Sequence, residues 1–156
     1  MAFFMKHDAI DGESQVEGRK GFIELLSVSW GMTSSISQRK GSQGSQGVNV
    51  QDLTCMKVVD TTSAQIVHQF LRGDAATVEI QFVTTGPNTK PQTLWRIKLE
   101  GCVITSYTVA GAGEERPTET FSLNFEKFFY EVFGPGDTLS GLSVSTGFDV
   151  FNGTPL

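Results

Sequence analysis

Apolar and polar residues alternate with a period of two through most of the chain, and turn residues cut it into short segments, the signature of antiparallel β-structure. In residues 22–30, Phe22, Leu26, Val28 and Trp30 share one face with Glu24, and Ile23 and Leu25 lie opposite with Ser27 and Ser29. Residues 48–59 follow the same period. In 76–84 the pattern places Ala76, Val78, Ile80 and Phe82 inward and Thr77, Glu79 and Gln81 outward. Trp95, Ile97 and Leu99 oppose Arg96 and Lys98, and another strand, 102–109, follows Gly101. Consecutive strands of this kind connect most simply as a meander.

One segment departs from the two-residue period. Between Thr62 and Gly73, Ile66, Val67, Phe70 and Leu71 recur at helical spacing, with Gln65, His68, Gln69 and Arg72 on the other side. Thr62 followed by Gln65 predicts a capping box, and Gly73 predicts a left-handed C-terminal end. Roughly ten helical residues are marginal alone, so the helix is expected to lie on the sheet and close an open end of a barrel. The fold class read from the pattern is mainly β, an antiparallel β-barrel with one short α-helix.

The segment 120–133 carries the strongest anomaly. Phe121, Leu123 and Phe125 share a face, but beyond Lys127 both faces are apolar, because Phe128, Tyr130 and Val132 alternate with Phe129 and Phe133. A sheet with one wet side cannot bury both sets. Phe128, Phe129 and Tyr130 are therefore candidates for contact with another copy of the chain, each exposed aromatic contributing about 1.5–3 kcal/mol when covered. The loop 31–47 is nearly devoid of apolar anchors and is too long for a hairpin turn, so Gln38, Arg39 and Lys40 are further self-association candidates. The domain is placed at 1–133. Residues 134–156 read as a Gly- and Ser-rich extension, part of the same domain or partly disordered.

Composition narrows the functional classes. With 38% hydrophobic and 19% charged residues the chain of 156 residues is an ordinary globular sequence, outside the regime of disordered chains. A formal net charge of −5 with dispersed Lys and Arg offers no basic face, so no nucleic-acid partner is expected. Cys55 and Cys102 form no CxxC pair and are read as buried free thiols; with His7 and His68 as the only histidines, no metal site is expected. Residues 1–8 lack a basic stretch followed by a signal-length apolar run, and no segment reaches a membrane span. Assembly in the cytoplasm, without direct membrane insertion, follows as an expectation.

Reactive constellations are missing from the sequence. No G-x-S-x-G, H-E-x-x-H, P-loop or complete G-x-G-x-x-G occurs, so neither an enzyme nor a cofactor is expected. The glycine-rich run 41–47 lacks the Lys-Ser/Thr pair of a phosphate cradle. Asp8, Asp11 and Glu13 around Gly12 read as a tight acidic turn, and Glu114, Glu115 and Glu119 as a solvated charge run. Asn152-Gly153-Thr154 fits a glycosylation sequon but reads as a turn.

Ile10-Asp11-Gly12-Glu13-Ser14 and Ile23-Glu24-Leu25-Leu26-Ser27-Val28-Ser29-Trp30-Gly31 resemble the opening of the haemolysin-coregulated protein family, the tube subunit of type VI secretion systems. Val48–Leu53, Asp60-Thr61-Thr62-Ser63, Val103–Tyr107 and Glu119–Lys127 follow in the family's order, with a weaker echo at Gly147-Phe148-Asp149. The loop at 37–47 and the tail after Phe133 depart from it. The resemblance implies a barrel assembling as a hexameric ring, with stacked rings forming a hollow tube that carries effectors. Its implied partners are other copies of itself, a contracting sheath, a spike and effector proteins, and its implied fate is secretion without a signal peptide. A bacteriophage tail-tube subunit and a monomeric β-barrel ligand-binding module are the competing readings.

Overall fold

The computed structural model describes residues 2–34, 47–84, 91–133 and 143–156. The chain is mainly β, all its described strand pairings are antiparallel, and a single α-helix lies among the described residues. The first sheet is ordered around a long strand. Strands β1 (Ala2–His7) and β2 (Ile23–Leu25) form its one edge. The other edge is made by β10 (Lys127–Phe133), β11 (Ser143–Asp149) and the two-residue β12 (Thr154–Pro155). Between them run β7 (Ala76–Thr84) and the nineteen-residue β8 (Gln92–Ala110). The C-terminal half of β8 leaves this sheet and pairs with β9 (Thr118–Asn124), which pairs in turn with β6 (Leu53–Val58) and then β3 (Ser27–Ser29). A separate two-stranded arm joins β4 (Met32–Ser34) to β5 (Val48–Val50).

Consecutive strands pair as a meander in β7–β8–β9 and in β10–β11–β12, but β9 and β10 do not pair with each other and the barrel is not closed by a continuous ladder. No ladder joins β2 to β6 among the described residues; they lie side by side, with the Leu26 N–H donating to the Met56 carbonyl at 2.7 Å. The cause is a change of phase at Leu26. The alternation places Ile23 and Leu25 on the face opposite Leu26, Val28 and Trp30, yet Ile23 and Leu25 are buried and Val28 and Trp30 partly buried, whereas Leu26 is 52% exposed. Breaking the strand in two lets both apolar sets turn inward in succession, which one unbroken pleat cannot do.

On β7, Gln81 and Val83 are both buried yet neither joins the core cluster: Gln81 keeps the outer face with Glu79 and Arg96, as the alternation places it, and is covered there by Arg19. The Gln81 amide is satisfied there: its Oε1 accepts from Arg19 Nε at 3.1 Å and Thr93 Oγ1 at 3.3 Å.

Helix α1 (Ser63–Arg72) ends at Gly73, whose φ of 69° permits the left-handed cap and whose N–H donates to the Gln69 carbonyl at 3.0 Å. Its start differs from a capping box. Thr62 has helical dihedrals and makes no side-chain cap; its N–H donates instead to Asp60 Oδ1 at 2.8 Å. Only part of the apolar face is covered, with Ile66 fully buried but Phe70 and Leu71 36% and 75% exposed. His68 is exposed. The core gathers Leu25, Leu53, Val78, Ile97, Leu99, Phe121 and Leu123 from both sheets. Cys55 and Cys102 are free and buried; burial pushes the Cys102 thiol up to about 12 and raises that of Cys55 as well.

Candidate self-association surface

β10 is held between β8 and β11, pairing Phe128 with Leu99 and Phe148, and Tyr130 with Ile97 and Thr146. On its inner face Phe128 is buried and Tyr130 partly so; on the outer face Phe129 is 36% exposed. Val132, two residues past Tyr130, emerges from the inner face's shelter and is 42% exposed. Gln38, Arg39 and Lys40 lie outside the described residues.

Aromatic rings continue inward from β10. Trp30 meets Phe128 edge-on at 4.9 Å and stacks with Tyr130 at 6.2 Å, and Trp95 meets Tyr130 edge-on at 5.8 Å. Such tilted pairs add about 0.5–1.5 kcal/mol beyond simple burial. Trp30 forms a partition. On one side of it a groove of about 690 Å³ opens between the β4–β5 arm and β10–β12, with Met32, Phe128, Tyr130, Phe148 and Pro155 in its walls. On the other side a smaller hollow of about 320 Å³ is lined by Phe3, Val28, Phe82 and Trp95. The walls are overwhelmingly apolar, and the Trp30 indole N–H is engaged by the Gln51 carbonyl at 3.1 Å.

The outer face of the sheet is charged but paired. Arg96 Nη2 lies 2.7 Å from Glu131 and its Nε 3.4 Å from Glu79, and the guanidinium sits over the Phe133 ring at 5.3 Å. The Glu131 hydrogen bond, opposed by partial burial and helped by the two carboxylate charges, raises the Arg96 pKa above its ordinary value. Cross-strand pairs of this kind hold β7, β8 and β10 in register.

Alternation made Phe128, Phe129 and Tyr130 visible in the sequence. Alternation does not group Trp30, Met32 and Phe148 with them, since each is about twenty or more residues away along the chain; for Trp30 the one local signal is an aromatic placed just before a long polar loop. Glu119 corrects the reading of a solvated run: Glu114 and Glu115 are exposed, but Glu119 is fully buried. Asp8, Asp11 and Glu13 sit in an exposed turn, where the Glu13 carboxylate accepts from the Thr61 hydroxyl. No group of three or more His, Cys, Asp or Glu suited to a metal ion occurs among the described residues. The sequon Asn152 is held in a turn by Asp149, which accepts from its N–H and side-chain amide at 2.9 Å.

The chain is thus a mainly antiparallel β protein whose β10 leaves Phe129 and Val132 partly in water beside the walls of an apolar groove on its inner face. The family model for the type VI secretion system effector Hcp matches residues 4–131, and the chain belongs to that family. No curated protein matches. Among solved structures, a type six secretion system protein superimposes with a TM-score of 0.86 at 23% identity, covering 99% of both chains. A type VI secretion system effector from Yersinia pestis gives 0.76 at 23% identity over 95% of this chain and 99% of that one. Hcp1 from Salmonella typhimurium gives 0.78 at 22% identity over 99% and 98%. No helix among the described residues is long and apolar enough to cross a membrane.

Proposed function

We propose that the chain is a structural subunit of the type VI secretion inner tube: six copies close into a ring, and rings stack into a hollow tube that carries effectors. The observation that carries this reading is the aromatic surplus of β10. One copy leaves Phe129 on the outer face of β10 and Val132 at the end of its inner face partly in water, while on the inner face Trp30, Phe128 and Tyr130 wall an open apolar groove. A neighbouring copy covers such a surface at a gain, and a head-to-tail contact that closes on itself leaves no open sheet edge to aggregate. The family assignment supports the same reading. Assembly in the cytoplasm, expulsion by a sheath and carriage of effectors, inside the lumen or at a spike, complete the proposal. A monomeric ligand-binding module fits less well, because the groove walls offer few converging polar groups.

Two substitutions separate core from interface. Phe129→Glu should reduce the mass measured by light scattering from ring to monomer and leave the unfolding transition of the monomer in place. Phe128→Ala, at a site only 4% exposed, should instead cost about 3–5 kcal/mol of monomer stability. A ring that survives Phe129→Glu removes β10 from the interface, and a wild-type chain that stays monomeric at high concentration removes the proposal.

A further inference from the structure

Lys57 and Glu119 face each other across β6 and β9, and both side chains are entirely out of water. The Lys57 ammonium lies 2.6 Å from Glu119 Oε1, 2.9 Å from Asp60 Oδ1 and 2.8 Å from the Val58 carbonyl. Tyr107, from the C-terminal half of β8, donates its hydroxyl to the other Glu119 oxygen. Burial, reinforced by that hydrogen bond and the Glu119 charge, pushes the Tyr107 phenol up to about 12.

The first turn of α1 belongs to the same cluster. Ser63 Oγ donates to Glu119 Oε1 at 2.9 Å and accepts the Asp60 N–H at 3.0 Å, while Thr62 donates its N–H to Asp60. Two carboxylates therefore share one ammonium. The positive N-terminal end of the helix sits against the surplus negative charge, so the helix and the ion pair stabilise one another. Beyond that turn Ile66 alone is buried in the core, Phe70 is 36% exposed and Leu71 75%.

We infer that residues 60–73 form a clip, hinged after Val59, whose N–H donates to the Pro117 carbonyl at 3.0 Å, fastened to the sheet at Lys57 with an exposed tie from Thr61 to Glu13, and able to open as a unit while β6, β9 and β8 stay paired. A ten-residue helix gains little from propensity and here little from apolar burial, so its docking depends on the polar post. Opening also admits water to Lys57 and Glu119. That relieves the desolvation cost a buried pair carries, which makes release cheaper than opening an apolar core. The sheets keep their own ladders and do not need the clip.

Hydrogen exchange on the full chain, read by mass spectrometry through a series of low denaturant concentrations, tests this. Amides of 63–72 should exchange ahead of those of 53–58 and 118–124. In the Asp60→Asn/Ser63→Ala double variant, which unhooks the helix and keeps Lys57 on Glu119, the 63–72 amides should exchange about tenfold faster or more, with the strand amides unchanged. Equal exchange of helix and strands in the wild-type chain overturns the clip. So does acceleration spread over both sheets in the variant, and a helix whose exchange stays within twofold of wild type removes Lys57 as the post.

Discussion

His7 lies on β1 almost entirely out of water, with its Nδ1 accepting the Ala9 N–H at 3.0 Å. Burial lowers its pKa below the ordinary 6.5, and the nearby Asp8 charge only partly opposes this. The unfolded chain therefore takes up a proton near that ordinary value while the folded chain does not. Stability contributed by the neutral ring is complete above about 6.5 and is lost as pH falls from there through the lower folded value. Urea unfolding at intervals between pH 7.5 and 5 should show this slope, and His7→Gln, which cannot titrate, should flatten it; an unchanged slope would assign the acid sensitivity elsewhere. Asp60 adds to the same trend only at lower pH. Burial alone would raise its carboxyl, but hydrogen bonds from Thr62 and Lys57 and the Lys57 charge outweigh burial and hold it below the usual range. Asp149 is likewise depressed, chiefly by the hydrogen bonds from Asn152.

At the scale of elements, β8 is the piece on which the architecture turns. Residues 92–100 pair with β7 and β10, residues 103–110 with β9, and Gly101 sits at the changeover with a φ of 62°. A Cβ there would be strained by that backbone and would stand 2.9 Å from the Glu126 side chain. Gly101→Ala should therefore cost about 1–2 kcal/mol and lower Tm by about 2–8 °C in a calorimetric scan; an unchanged Tm would show that the changeover does not need glycine. The sequence made the strands, the helix and its glycine end legible, because each is a local pattern of hydrophobicity or turn chemistry. Three features were not legible. The phase change at Leu26 depends on which strand each half meets, Gln81 is covered on the outer face by Arg19 from 62 residues earlier, and Lys57 is buried by a carboxylate 62 residues later. The candidate surface divides the same way: the β10 aromatics announce themselves, and the groove around Trp30 exists only once β4, β10 and β12 are brought together.

For the whole molecule, charge and greasiness act on different contacts. Six copies at −5 give a formal −30 per ring, so in the proposed tube successive rings repel, whereas neighbours within a ring meet through apolar surface that salt barely affects. Arg39 and Lys40 are the only charges in the 31–47 loop, and they are the groups proposed to offset that repulsion between rings. The screening length grows from about 8 Å at 0.15 M to about 30 Å at 0.01 M salt. Light scattering on dilution into low salt should thus show stacks separating into rings of constant mass before any ring dissociates. Arg39→Glu changes each copy by −2, taking the formal ring charge from −30 to six times −7, or −42, and should shift that separation to higher salt without altering ring mass. Rings that fall to monomers before stacks part would reverse the assignment of strong and weak contacts. Loss of the ring itself in Arg39→Glu would move the loop from the stacking contact to the lateral one, and the tube would then owe its closure to charge rather than to β10.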